Sequence, residues 1–451
     1  MTPDFRGSAA AANATSGRVR VEVLEGTTVQ TTPSVTGATP AAGVPMRAII
    51  RGTQGAIRFD NDLLSKHVLF LGGIGTGKTN AMMQLLSDLR RQAGPDDVFV
   101  IFDSKGDFLA ELYQDGDAVV SNAPETGAGS VIWNVFSDVG GTDSATASDE
   151  IYEMASTIFG DELSSAGQNM FFAAGARDVF AAVFEALSRE TGQHDNSDLR
   201  RTLEGTNEQL FNAITAHPDL GGTSRYLRGS GNTPESIRAF LQQSVNSAFS
   251  GMFRRAGDFS VRQFVRDRGS RALFIEYDIA TGSRLTPVYR VLIDLAIREA
   301  LTLGRNHRPG SVYFVMDEFS LVPLLEHLSD GVNFGRSLGL KFIVGTQNVE
   351  QVLFAYGPEL GRTIMSGFGT VFAFRLMDDV SRSLVRQRFG ANRKQITTDA
   401  AVRAQGVQQE TVLGNVIEDW VMSSLSVGQC IASLPTDPPF FFTFDQYRRV
   451  P

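Results

Sequence analysis

Three observations in the 451-residue sequence predict an α/β fold with an inserted all-α segment. Continuous apolar runs are typical of parallel strands that are buried on both faces. The runs after the first one end in polar residues, and in open α/β sheets the carboxyl ends of the strands are where ligands bind. Between two groups of these runs lies a long stretch with helical periodicity. The continuous runs are residues 68–71, 98–102, 312–316 and 342–345, and the candidate strands at 272–277 and 371–376 are apolar except for Glu276 and Arg375.

A glycine-rich loop follows the first run directly. It matches the P-loop pattern, in which glycines stand at the first and sixth places and Lys and Thr follow. Helical periodicity over residues 80–91 completes the strand–loop–helix context. Glycines let successive N–H groups converge on one point, and the helix N-terminus adds its positive dipole end. We expect ATP to bind through the whole loop: Gly72, Gly73, Ile74, Gly75, Thr76, Gly77, Lys78 and Thr79.

Two residues of this loop have specific expected roles. Lys78 is expected to reach the β- and γ-phosphates, and the Thr79 hydroxyl is expected to bind Mg²⁺. The alternative is a chance match in a Gly-rich chain. The flanking strand and helix favour the P-loop interpretation.

Two acidic residues, Asp317 and Glu318, end the apolar run 312–316, as in a Walker B element. We expect Asp317 to hold the Mg²⁺ coordination shell and Glu318 to position and deprotonate the attacking water. Alternatively, the two acids satisfy backbone N–H groups at the start of a helix. The presence of a P-loop in the same chain favours the catalytic interpretation.

Other polar residues stand at strand ends. Gln347 is expected to sense the γ-phosphate or to orient water, although an ordinary loop amide is the alternative. Phosphoryl transfer often uses an arginine from a neighbouring subunit, and Arg375 is our first candidate and Arg386 our second. Asp103 and Lys105 either line the pocket or pair with each other in a turn, and the sequence leaves both readings open.

The P-loop and Asp317 are separated by about 240 residues, more than a compact P-loop core needs. This spacing predicts an insertion with mainly helical periodicity, including helices at 169–189, 203–214 and 233–255. The expected domains are a disordered or weakly structured N-terminal segment, the first part of the nucleotide-binding domain, an all-α inserted domain and the second part of the nucleotide-binding domain. Their ranges are 1–45, 46–144, 145–265 and 266–451.

The composition is that of a soluble globular protein, with 42% hydrophobic and 20% charged residues. A net charge of −9 excludes a global basic signature, so any contact with DNA has to come from a local patch or from the inside of an oligomer. The single cysteine, Cys430, is expected to be a buried structural thiol. No apolar run approaches the ~18 residues of a membrane span, so we expect a cytoplasmic protein.

The motifs, in this order, resemble those of the type IV coupling proteins of conjugation and secretion, within the FtsK/HerA-like translocases. The P-loop and the segments at Met316 and Gly345 match that family's P-loop, Walker B and sensor motifs. Residues 103–107 resemble its Asp-Pro-Lys-Gly-Glu signature, with Ser for Pro and Asp for Glu. Residues 133–136 resemble its Trp-Asn-Pro-Leu segment, and the late strand and helix at 371–390 are similar as well.

The resemblance implies a RecA-like core, a homo-hexameric ring and ATP-driven movement of DNA, single-stranded in this family, towards a secretion channel. It implies a relaxase or DNA-processing complex and secretion-channel proteins as partners. In this family the all-α domain contacts the cargo or the DNA-processing complex. Members of this family usually begin with transmembrane helices. Their absence from the sequence predicts recruitment to the inner face of the membrane by a partner, or a soluble branch with a changed role.

Two other functions fit the same residues. One is a nucleotide-gated adaptor that recruits protein cargo through residues 145–265 with little hydrolysis. The other is a soluble packaging or helicase-like motor on DNA or RNA. The sequence has no clear stripe of basic and aromatic residues of the kind that stacks single strands.

Overall fold

The computed structural model describes residues 19–31, 43–50, 53–122, 127–139, 144–228, 231–399, 407–435 and 437–448. The chain divides into two compact units, one formed by Met1–Gln92 with Phe342–Pro451 and the other by Ala93–Lys341. Most of the N-terminal segment predicted to be disordered or weakly structured, 1–45, lies outside the described residues, namely residues 1–18 and 32–42. The four domain ranges predicted from the sequence stay predictions.

The strands are β1 Val19–Glu25, β2 Val44–Ile50, β3 Thr53–Phe59, β4 Val68–Leu71, β5 Val98–Asp103, β6 Ala118–Val120, β7 Arg271–Glu276, β8 Val312–Met316, β9 Leu340–Thr346, β10 Thr370–Ala373, β11 Ala391–Asp399, β12 Val407–Asn415, β13 Gln429–Ser433 and β14 Phe440–Thr443.

The helices are α1 Asn61–Ser65, α2 Lys78–Gln92, α3 Asp107–Leu112, α4 Ser144–Ile158, α5 Gly160–Ser165, α6 Met170–Arg189, α7 Asn196–Glu204, α8 Asn207–Thr215, α9 Thr233–Ala248, α10 Val261–Asp267, α11 Gly282–Arg305, α12 Leu328–Leu338, α13 Val349–Tyr356, α14 Pro358–Ser366, α15 Asp379–Phe389 and α16 Asp419–Ser424.

In the first unit, five strands pair in the order β14-β13-β10-β4-β9. β4 is parallel to both of its neighbours, whereas β10–β13 and β13–β14 are antiparallel pairs. Every residue of β4 and β10 is buried, which explains why both read as continuous apolar runs. Separate from this sheet are the hairpin β2–β3 and the three-stranded sheet β1-β11-β12. Cys430 is buried in β13, as predicted.

In the second unit, four strands pair in the order β8-β5-β7-β6, and all of these pairs are parallel. Residues Val98–Asp103 of β5 are all buried, as are those of β8. Among the described residues between β6 and β7, the chain forms helices α4 to α10 and short 3₁₀ turns but no strand. This stretch coincides with the helical insertion that the sequence predicts.

Two predicted helices and one predicted strand were wrong in extent. The helix predicted at 233–255 ends at Ala248, because Phe249 leaves the helical region with φ −99° and ψ 64°, and a short 3₁₀ turn at Gly251–Arg254 follows. The single helix predicted at 203–214 is the end of α7 followed by α8, which Thr206 restarts with a capping box. The strand predicted at 371–376 ends at Ala373, so Arg375 lies two residues beyond it.

Asp138 links the segment that begins at Trp133 to the start of α10 through hydrogen bonds. Its buried carboxylate accepts hydrogen bonds from the Trp133 indole N–H at 2.7 Å and the Ser260 hydroxyl at 2.6 Å. It also accepts from the backbone N–H groups of Val261 and Arg262, at 3.2 and 2.9 Å. The carboxylate therefore satisfies orphan donors at the N-terminus of α10 and also binds the Trp133 indole N–H.

No helix in the described part of the chain is long and apolar enough to cross a membrane.

Replacing Asp138 with Asn should destabilise the fold by about 1–3 kcal/mol, because the amide NH₂ faces donors that need an acceptor. The measurement is urea unfolding followed by tryptophan fluorescence. The exposed Asp258 nearby provides the matched control, and Asp258→Asn should shift stability by less than about 0.5 kcal/mol. Equal stability of Asp138→Asn and the native protein would contradict this role.

Candidate nucleotide-binding site

The glycine-rich loop of the first unit begins as a continuation of the sheet. In β4, Leu71 pairs with Thr346 of β9 on one side and with Ala373 of β10 on the other. The next two N–H groups continue these contacts: Gly72 donates to the Thr346 carbonyl at 3.2 Å and Gly73 donates to the Arg375 carbonyl at 3.1 Å. The start of the loop is therefore fixed from both sides.

The middle of the loop curls in the way that a phosphate site requires. Gly75 and Gly77 have φ angles of +70° and +105°, a region that L side chains rarely adopt. Ile74 and Gly75 are exposed, and α2 starts at Lys78. Backbone N–H groups at the N-terminus of a 15-residue helix form a concave site for an anion. The residues present fit a nucleotide phosphate.

Side chains and one distant turn hold this curl in place. The buried Thr76 hydroxyl donates to the Gly73 carbonyl at 2.8 Å, while the Thr76 carbonyl accepts from Gly428 N–H at 2.9 Å. The Lys78 ammonium donates to the Gly72 carbonyl and, at 3.1 Å, to the Gly73 carbonyl. The lysine therefore lies against the loop that it is expected to serve.

Gln347 and Arg375 flank the loop within the same unit. Gln347 directly follows β9, and Arg375 follows β10, so both stand at the carboxyl edge from which the loop emerges. Both are half-buried. Arg386, the second arginine candidate, forms an ion pair with Asp419 at 2.9 Å.

The second unit contains the Walker B acids at the end of β8. Asp317 is buried, and its two carboxylate oxygens accept from Ser104: the backbone N–H at 3.1 Å and the hydroxyl at 2.6 Å. Glu318 is also buried, and its carboxylate accepts from the Ser320 hydroxyl at 2.7 Å. Burial raises the pKa of Asp317 to about 6; the neighbouring Asp103 and Glu318 charges act in the same direction, and the bonds from Ser104 oppose it.

The Asp103 carboxylate contacts Lys105 through the Lys105 backbone N–H, in the turn that follows β5. Its carboxylate accepts from the backbone N–H groups of Lys105, Gly106 and Leu109, at 3.2, 2.9 and 2.8 Å. It therefore shapes the turn into α3. The Lys105 side chain is exposed. Burial raises the pKa of Asp103, against the hydrogen bonds from this backbone.

The segment that follows Glu318 is anchored by a buried arginine of α11. The Arg290 guanidinium donates to the Pro323 carbonyl at 2.6 Å and to the Asp161 carboxylate at 2.9 Å. Asp161 lies in α5, a helix of the insertion. One side chain thus links the chain just after the Walker B acids to the helical segment.

A second anchor lies one helical turn further along α11. Asp294 accepts from the backbone N–H groups of Glu326 and His327, at 3.1 and 3.2 Å. The His327 ring in turn contacts the Glu153 carboxylate of α4. Residues 290 and 294 are one turn apart and therefore share a face of α11.

Sequence reasoning missed three contributors to these sites. In the sequence, Ser104 is only a departure from the Asp-Pro-Lys-Gly-Glu signature. That departure was the one signal that could have indicated its contact with Asp317. Gly428 and Phe374 touch the P-loop from far along the chain, and no local pattern indicates such a contact. A Cβ on Gly72 would lie 2.6 Å from the Phe374 Cβ, so Phe374 explains why glycine is required there.

Comparison with known proteins decides the family. A family model described as the DNA-binding domain of type IV secretion-system coupling proteins matches residues 51–415. The chain belongs to this family. Coupling protein TraD of Escherichia coli (strain K12) is 23% identical over 310 residues, which are 67% of this chain and 41% of TraD. The chain thus spans less than half the length of that relative. The resemblance drawn from the motifs is confirmed.

Solved structures of a bacterial conjugative coupling protein share the fold. Unbound TrwBΔN70 aligns with a TM-score of 0.75 at 18% identity, covering 98% of this chain and 97% of its own. TrwB in complex with ADP and Mg²⁺ aligns with a TM-score of 0.72 at 17% identity, covering 98% and 96%. The predicted fold class, a RecA-like P-loop α/β domain with an inserted all-α domain, is confirmed.

Replacing Gly72 with Ala should destabilise the first unit by about 1–3 kcal/mol, because the new methyl group would overlap Phe374. The adjacent Gly73 gives a matched control, since the nearest atom that a Cβ there would meet in the described part of the chain is the Arg375 carbonyl oxygen at 3.8 Å. Thermal unfolding of the two alanine variants checks this. A Gly73→Ala variant as unstable as Gly72→Ala would show that the close approach is not the reason.

Proposed function

We propose that this coupling protein hydrolyses ATP, with Mg²⁺, to move DNA and any attached protein towards a type IV secretion or conjugation channel. The observation that carries the proposal is the P-loop, fixed between β9 and β10 at the carboxyl edge of the sheet. Its anion-binding geometry, in a member of this family, supports nucleotide binding. The complex of TrwB with ADP and Mg²⁺ supports the choice of cofactors.

The proposed chemistry divides among five residues. Lys78 contacts the β- and γ-phosphates, and Thr79 and Asp317 hold Mg²⁺. Glu318 accepts the proton of the attacking water, and Gln347 orients that water or senses the γ-phosphate. Bound Mg²⁺ supplies compensation for the charge that develops on the transferred phosphoryl group. The protein's part is positioning and electrostatic stabilisation, because this reaction needs little covalent chemistry from its enzyme.

Arg375 is the proposed arginine for the transferred phosphoryl group. Its position beside the P-loop backbone supports it over Arg386, which is occupied by Asp419. Whether Arg375 acts in its own subunit or across an interface depends on assembly. We propose a homo-hexamer, with single-stranded DNA, a relaxase or DNA-processing complex and channel proteins as partners. We place it in the cytoplasm, recruited to the membrane by one of these partners.

The Glu318→Gln variant tests the hydrolytic part. Steady-state hydrolysis should fall by at least about a hundredfold, because the amide cannot accept the proton of water. Binding of a fluorescent ATP analogue should be retained. The exposed Glu326 in the same segment serves as control, and Glu326→Gln should keep native turnover.

The same hydrolysis assay on the native protein tests the proposal that hydrolysis drives the movement of DNA. Adding DNA should raise the turnover, and DNA should bind at low salt. Unchanged turnover in Glu318→Gln would contradict the assignment of the base. DNA that neither binds nor raises turnover would contradict the motor and favour the adaptor that recruits protein cargo.

Mixing two inactive variants tests Arg375. Arg375→Ala should lower turnover by about 10³-fold if the guanidinium stabilises the transition state. Lys78→Ala should be inactive as well. If Arg375 serves a neighbouring subunit, a mixture of the two variants should regain part of the turnover, because a site with Lys78 then receives a neighbour's arginine. A mixture as inactive as its components would contradict action across subunits, and native turnover in Arg375→Ala would remove it from the site.

A further inference from the structure

Ser104 gives Asp317 two hydrogen bonds that the family signature's proline could not supply. Its backbone N–H donates to Oδ1 of Asp317 at 3.1 Å, and its hydroxyl donates to Oδ2 at 2.6 Å. Proline has no N–H and no hydroxyl. Both side chains are buried, with exposed fractions of 4% for Ser104 and 8% for Asp317.

The two bonds fix the carboxylate plane. One donor on each oxygen, from one residue, prevents rotation about the Cβ–Cγ bond of Asp317. A carboxylate has about four lone-pair sites, so each oxygen keeps one for a metal ion or its bound water. Ser104 itself is held in place, because it lies between β5 and the turn that Asp103 shapes through three backbone N–H groups.

We infer that Ser104 is a positioning residue that orients Asp317 towards Mg²⁺. This inference rests on the proposed function, in which Asp317 holds the metal. Hydrogen-bond partners of metal-binding carboxylates set ligand orientation, and their loss typically weakens metal affinity about 10–100-fold. Here the effect should lie at the lower end, because the backbone N–H remains when the hydroxyl is removed.

The test is the Mg²⁺ dependence of nucleotide binding, measured with fluorescent ADP by titrating Mg²⁺ into the full chain. Ser104→Ala should raise the apparent Kd for Mg²⁺ about tenfold. Affinity for the same nucleotide in EDTA should be unchanged, since the P-loop is not altered. The matched control is Ser244→Ala, because the Ser244 hydroxyl is also buried and has no hydrogen-bond partner among the described residues. That variant should show native Mg²⁺ dependence.

The possible outcomes are separable. Native Mg²⁺ dependence in Ser104→Ala, or equal weakening with and without Mg²⁺, would overturn the inference and leave Ser104 a structural residue. If Ser104→Ala does not fold, the nearly isosteric Ser104→Cys decides, since its thiol is a weak donor and should also raise the Kd for Mg²⁺. If the native chain binds no nucleotide in either condition, the proposed function fails instead.

Discussion

Parallel pairing of β4 with β9 and β10 is the constraint on which the proposed nucleotide site depends. Register places Leu71 beside Thr346 and Ala373, so the chain leaves the sheet with a neighbour on each side. Gly72 and Gly73 extend this pairing by one hydrogen bond to each neighbour. These two hydrogen bonds set the direction in which the loop leaves the sheet. The glycines that follow then allow the backbone to turn. Gln347 and Arg375 share the edge for the same reason, because parallel strands end on the same side.

In the second unit, adjacent parallel strands also end at the same edge, and hydrogen bonds from polar side chains hold the segments that follow them. β5 and β8 end side by side, which brings Ser104 to Asp317. The chain after Glu318 is then held by α11, through Arg290 and Asp294, to α5 and α4 of the insertion. Arg290 and Asp294 are themselves buried, so removing one of their hydrogen-bond partners would leave a buried charged group unsatisfied, which is costly. They therefore favour one arrangement of the segment after Glu318, which is useful where a water molecule has to be positioned.

The sequence predicted best what depends on local pattern. The bounds of β4 and β8 agree with the predicted runs, and the P-loop and Walker B acids were found because their chemistry is contiguous. Helix ends were less predictable, because a capping box at Thr206 and the non-helical backbone of Phe249 decided them. Contacts between distant segments were not predictable. They depend on strand order, which no local sequence pattern encodes. Examples are the hydrogen bonds from Ser104 to Asp317 and the contacts of Phe374 and Gly428 with the P-loop. The roles of the site residues stay predictions.

The burial and the contacts of the Walker B acids support the catalytic roles that we propose for them over a purely structural role. An acid that merely caps a helix accepts backbone N–H groups, as Asp103 does with three of them. Asp317 and Glu318 are equally buried, but Asp317 accepts one backbone N–H, from Ser104 on a neighbouring strand end, and the other bonds come from the hydroxyls of Ser104 and Ser320. In the described part of the chain, neither forms an ion pair with a basic side chain. Three carboxylates close together and away from water repel one another, and an apolar residue would serve folding better. A bound divalent cation would offset the repulsion between these carboxylates. For this reason we propose Asp317 as the metal ligand and Glu318 as the residue that positions the attacking water.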